Sequence, residues 1–199
     1  MKEKIVIDSS LSNSAIILRD TLCEYILPVI KSKREIIFLC IGSDRSTGDS
    51  LGPLVGHKLQ FLSRENLYIY GNLKSPVHAK NICEIISKIE KEFKDPYIIA
   101  IDACLGNVQN IGKICIEEKP LSPGSAMNKN LPPVGNLSIT GIVNISGALE
   151  FMVLQNTRLN TVMELADTIS NGIYHSILKT VGGKKTEKTI SDHIISDNI

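Results

Sequence analysis

The sequence predicts an α/β fold: a three-layer α/β/α sandwich built on a mostly parallel sheet. Three observations predict it. Short apolar, β-favouring runs alternate with longer amphipathic runs along most of the chain. One such run, Ile36-Ile37-Phe38-Leu39-Cys40-Ile41, breaks into a Gly/Ser/Asp loop that leads straight into an amphipathic segment, the strand-loop-helix order of an open α/β sheet. At 199 residues the chain defaults to one domain, residues 1–199, and is long enough to bury a sizeable core.

The elements follow in order. Residues 12–32 read as a helix with Ile16, Ile17, Leu18, Leu22, Ile26, Leu27 and Ile30 on a broad apolar face, although Pro28 weakens its last turn. Ile36–Ile41 is the first strand. Ser50–Leu62 is a helix, and Pro53 is tolerated near its first turn. Leu67–Tyr70 is a short strand ended by Gly71. Ser75-Pro76 opens a helix whose positions Ile82, Ile85, Ile86, Ile89 and Phe93 keep helical spacing. Tyr97–Asp102 reads as a buried strand and Gly112–Glu117 as another. Four prolines and two glycines between 119 and 136 rule out regular structure there, and a loop of that length is usually functional or mobile. Leu137–Val143 is a strand, about 146–155 a helical run, and Arg158–Leu178 a long helix. The tail from Thr180 is polar and expected to fray.

Composition narrows the function. A net charge of +1 gives no general attraction to nucleic acid or to an anionic membrane. No apolar run approaches the ~20 residues that span a bilayer, and the N-terminus has no signal-peptide core, so a cytoplasmic location is expected. The five cysteines stand singly at 23, 40, 83, 104 and 115, which argues against a zinc ribbon or a redox dithiol. All but Cys104 lie in apolar runs and read as small core residues.

The informative stretch is Gly42-Ser43-Asp44-Arg45-Ser46-Thr47-Gly48-Asp49-Ser50-Leu51-Gly52-Pro53. It lacks the Lys-Ser/Thr of a phosphate loop, and an acid at a helix start repels phosphate. Asp49 therefore reads either as a carboxylate catalyst or ligand, or as the cap of the helix that follows. Asp44 reads as a turn former. Asp102 ends an apolar strand and is followed by small or apolar residues, so it is desolvated and needs a partner or a raised pKa. If its strand and Ile36–Ile41 are central and parallel, Asp49 and Asp102 converge on one crevice. Cys104 lies close by, but no histidine is placed to activate it. His78, early in its helix, is a candidate site residue or metal ligand; His57 and His175 read as helix-surface residues. Arg45 and Lys129 are loop cations that could hold a substrate carboxylate or pair with the acids. Asn144, next to the last strand, is a further candidate substrate contact. No G-x-S-x-G elbow is present.

These segments resemble the YyaC (DUF1256-type) family of sporulation proteins. The resemblance rests on Gly42–Gly56, Pro76-Val77-His78-Ala79, Ile101–Gly106, Pro123-Gly124, Leu131–Gly135 and Val153–Leu159. It extends more distantly to the spore germination protease, through Asp49-Ser50-Leu51-Gly52-Pro53, Ile101-Asp102-Ala103 and Pro123-Gly124-Ser125. The hydrogenase maturation endopeptidases are similar in fold; where they add a nickel-binding histidine, this chain has Ile145-Ser146-Gly147. The resemblance implies a phosphorylase/hydrolase-like sandwich and an aspartate pair, Asp49 and Asp102, that cleaves peptide bonds without a cofactor or metal. It also implies a protein or peptide substrate such as the small acid-soluble spore proteins, and a forespore location, and it leaves oligomerisation open. Two other readings stand beside it: a spore protein that binds a peptide or partner without turnover, and a metal-dependent hydrolase using Asp49, Asp102 and His78.

Overall fold

A computed structural model describes residues 3–123 and 131–182. Its centre is a six-stranded sheet in the order β1-β5-β6-β4-β2-β3. The strands are β1 (Ile5–Asp8), β2 (Ile36–Cys40), β3 (Leu67–Tyr70), β4 (Tyr97–Gly106), β5 (Lys113–Glu117) and β6 (Leu137–Ile145). β3, β2, β4 and β6 pair in parallel, and β5 is antiparallel to both β6 and β1. The sheet is therefore mixed but mostly parallel. The helices are α1 (Ser14–Lys31), α2 (Leu51–Lys58), α3 (Ile82–Glu92), α4 (Glu150–Gln155) and α5 (Leu159–Thr180).

Strand periodicity divides the core between two faces. On β2, Ile36, Phe38 and Cys40 point to one face and Ile37 and Leu39 to the other. The first face packs against α1, α2 and α5, with Leu18, Leu22, Ile26, Leu51, Leu165, Ile169 and Ile173 wholly buried or nearly so. The second packs against α3 through Ile82 and Ile89, with Phe93 just beyond it. Helices thus cover both faces, as the alternation of strands and helices predicts.

Several boundaries move. β1 is not apparent as a strand in the sequence: it is four residues long, lies between charged residues, and forms only because β5 supplies a partner over a hundred positions later. The segment expected as a helix over 50–62 enters through a 3-10 turn, Gly48–Ser50, is α-helical only to Lys58, and ends in turns. α3 starts at Ile82 rather than at Ser75-Pro76, because Val77 first makes a parallel bridge to Ile41. α4 starts at Glu150 rather than 146. β4 runs on to Gly106 and β6 to Ile145, beyond their expected ends. α1 continues through Pro28 to Lys31. Cys23, Cys40 and Cys115 are buried as expected, but Cys83 is exposed, on the solvent side of α3. Residues 124–130 and the tail from 183 lie outside the described residues, and so does Lys129.

Candidate functional site

β2 and β4 are central, adjacent and parallel, as convergence of the two acids requires. They differ in length. β2 ends opposite Ile101, where the Ile41 N–H donates to the Ile101 carbonyl at 2.7 Å. β4 continues to Gly106 and carries Asp102 past that point. Asp102 therefore stands where β2 has given way to the 42–50 loop, at the carboxyl edge of the sheet, where α/β folds place ligands.

Backbone contacts bring the loop's own acid back to the same place. The Gly42 N–H donates to the Val77 carbonyl at 2.8 Å, and the Ser43 N–H donates to the Asp49 carbonyl at 2.9 Å. Gly42 has φ +138°, and a Cβ there would overlap the Asp49 carbonyl oxygen, so no other residue fits without moving the Asp49 turn. Gly52 permits an equally close approach of α2 to the Ile41 backbone. Of the two readings of Asp49, the N-cap is not what it performs: it lies inside the 3-10 turn, and no side-chain cap bond forms at the start of α2.

The electrostatics follow from burial. Burial pushes the Asp49 carboxyl up to about 6, against an opposing hydrogen bond from the Ser43 backbone. Asp102 is 8% exposed. Its carboxyl is raised well above the ordinary range, first by burial and then by the negative charge of Asp49, with the Ala103 N–H opposing. That N–H donates to Asp102 Oδ1 at 2.8 Å. Among the described residues neither carboxylate forms an ion pair with Lys, Arg or His. Burial raises both carboxyls, and the charge of Asp49 raises Asp102 further, so the two titrate as an interacting pair.

The other candidates divide. His78 follows Val77 and so borders the same loop. Its Nδ1 is buried without a hydrogen-bond partner among the described residues, and so is Oγ of Ser46, a residue that sequence reasoning passed over. Asp44 and Arg45 are exposed at the loop's tip. Asn144 lies at the end of β6 with its amide used internally: Nδ2 donates to the Val153 carbonyl at 3.3 Å and to Thr157 Oγ1 at 3.2 Å, and Oδ1 accepts the Ile145 N–H at 2.8 Å. Cys104 lies two residues along β4 from Asp102, but burial pushes its thiol up to about 11, which leaves it protonated and a poor nucleophile. His57 and His175 are exposed on helices, as expected. Among the described residues no three His, Cys, Asp or Glu side chains group as metal ligands, so His78 does not complete such a set with Asp49 and Asp102.

Comparison with known proteins agrees with this architecture. The family described as "Protein of unknown function (DUF1256)" matches residues 6–172. The uncharacterized protein YyaC of Bacillus subtilis (strain 168) is 51% identical over 140 residues, covering 70% of this chain and 68% of its own length. A crystal structure of the [NiFe] hydrogenase maturation protease HycI from Thermococcus kodakarensis KOD1 superposes with a TM-score of 0.50 at 19% identity, covering 78% of this chain and 99% of that one. At that identity the likeness concerns the fold.

Proposed function

The chain belongs to the DUF1256 family, and from that premise we propose that it is a peptidase that hydrolyses a peptide bond with the aspartate pair Asp49 and Asp102. The observation that carries this reading is the pair itself: two desolvated carboxyl groups from separate elements at one sheet edge, close enough that the charge of one raises the other. The ionised Asp49 takes a proton from a water as it attacks the scissile carbonyl. The protonated Asp102 gives its proton to the departing amine. The sharing of a fold with a maturation protease adds weight to this reading. The resemblance to the YyaC and germination-protease families points to sporulation, to the forespore cytoplasm and to small acid-soluble spore proteins as substrates. No helix among the described residues is long and apolar enough to cross a membrane.

The test is incubation of the purified chain with a panel of small acid-soluble spore proteins and unfolded control proteins, read by intact mass, with Asp49→Asn and Asp102→Asn alongside. Defined fragments that vanish in both variants support the peptidase. Cleavage retained in both defeats the mechanism. One observation favours a second reading, a peptide-binding protein without turnover: Asp102 already spends one carboxyl oxygen on the Ala103 N–H. Saturable peptide binding with no cleavage in the same panel would select it.

A further inference from the structure

Asn144 occupies an unexpected face of the sheet. Along β6, Ser138, Thr140 and Ile142 alternate with Leu137, Ile139 and Gly141, and Thr140 pairs with Asp102. Continued alternation would put Asn144 on the Asp102 face. The ladder instead slips between Cys104 and Leu105: Cys104 pairs with Ile142, but Leu105 pairs with Asn144, leaving Val143 as the extra residue. Leu105 packs on the face covered by α1, α2 and α5, and Asn144 is carried there with it.

On that side Asn144 meets the end of α4. Its Nδ2 donates to Thr157 Oγ1 at 3.2 Å, and the same hydroxyl donates to the Val153 carbonyl at 2.9 Å. Thr157 is 6% exposed. Its hydroxyl also backs directly onto the Asp49 turn: a Cβ built on Gly48 would lie 2.7 Å from Thr157 Oγ1 and 2.8 Å from Leu154 Cδ2. A continuous path of contacts thus runs from the strand ladder that holds Asp102, through Asn144 and Thr157, to the residue preceding Asp49.

We propose that Thr157, held by Asn144, is the positioning residue that fixes the Asp49 turn relative to Asp102. Neither side chain touches the substrate; the β6 bulge exists to aim Asn144 at this latch. The inference deepens the aspartate-pair reading of the site and rests on it. Removing the Thr157 hydroxyl leaves Asn144 Nδ2 only its bond to the Val153 carbonyl, unties residue 157 from β6 and loosens the backing of Gly48. The turn then opens to water, and Asp49 loses the desolvation that sets its titration.

The experiment measures the Asp49 carboxyl by side-chain carbon NMR across pH, in the full chain and in Thr157→Val, Thr157→Ser and Asn144→Ala, with each fold checked by thermal unfolding. The Asp49 resonance is assigned from Asp49→Asn. The midpoint should fall from about 6 toward the ordinary value of ~3.9 in Thr157→Val and in Asn144→Ala, and return in Thr157→Ser. Should Thr157→Val fail to fold, Asn144→Ala carries the same expectation. Where cleavage is detected, the same two variants should lose ~10²-fold in kcat with KM little changed, since a misplaced catalytic group affects the reacting geometry rather than binding. An unchanged Asp49 midpoint in a folded Thr157→Val or Asn144→Ala chain overturns the latch. The titration needs no activity, so a chain that cleaves nothing but shows the shift keeps the latch while losing the peptidase.

Discussion

Replacing Asp49 by Asn should make the protein more stable at neutral pH while removing its proposed base. An Asp carboxyl in an unfolded chain titrates near ~3.9. Burial pushes Asp49 to about 6 in the fold. Between those values the unfolded chain has released this proton and the folded chain still holds it, so the unfolded state binds fewer protons and stability falls as pH rises. The loss is complete above about pH 6 and absent below about pH 4. Two pH units at ~1.4 kcal/mol each amount to ~3 kcal/mol. Asn has nearly the same shape, can still accept a hydrogen bond from the Ser43 backbone, and never ionises. Asp49→Asn should therefore unfold ~6–12 °C above the parent at pH 8, at ~2–4 °C per kcal/mol for a chain of this size, and within a degree or two of it at pH 4. Scanning calorimetry of both proteins at both pH values is the assay. A gap of the same size at pH 4 and pH 8, or a variant less stable than the parent at pH 8, would refute the claim that Asp49 is held ionised at a desolvation cost.

Other consequences are testable. If peptide cleavage is found, its acid limb should have a midpoint near pH 6, where Asp49 ionises, and activity should decline again once Asp102 gives up its proton; an acid limb near pH 4 would mean that Asp49 is hydrated. Gly42→Ala should destabilise by about 2–4 kcal/mol, because it combines a strained backbone with overlap on the Asp49 carbonyl, and a denaturant midpoint within error of the parent would contradict this. Among the thiols, exposed Cys83 should alkylate first at pH 7.5, and Cys104, pushed up to about 11, and Cys40, pushed up to about 12, should resist. Mass-mapped labelling in which Cys104 reacts as fast as Cys83 would show that β4 is open to solvent at Asp102.

Much of this molecule can be read from its residues. Strands such as Ile36–Cys40 are apolar on both faces and strand-length, so local chemistry alone identifies them. The Gly42–Pro53 loop announces itself by glycines whose need for backbone room is intrinsic, and Asp102 by the apolar run it interrupts. Those local signals single out both acids as candidates. Other features carry no local signal. β1 is too short to declare itself without β5, and the reversal of β5 is a property of the sheet rather than of Lys113–Glu117. Thr157 falls within the Val153–Leu159 segment that carries the resemblance, but nothing local shows what it touches; Asn144, Leu154 and Gly48 come around it only in the fold.

The sequence by itself determined most of the elements, where the loop breaks β2, and which carboxylates are candidates, because propensity, periodicity and backbone strain act over a few residues. The tertiary structure decided that β2 stops short of Asp102, that a one-residue slip turns Asn144 toward α4, and that the buried Asp102 feels the charge of Asp49. Those outcomes depend on strand register, burial and the distance between charges, quantities that exist only once remote segments have packed together.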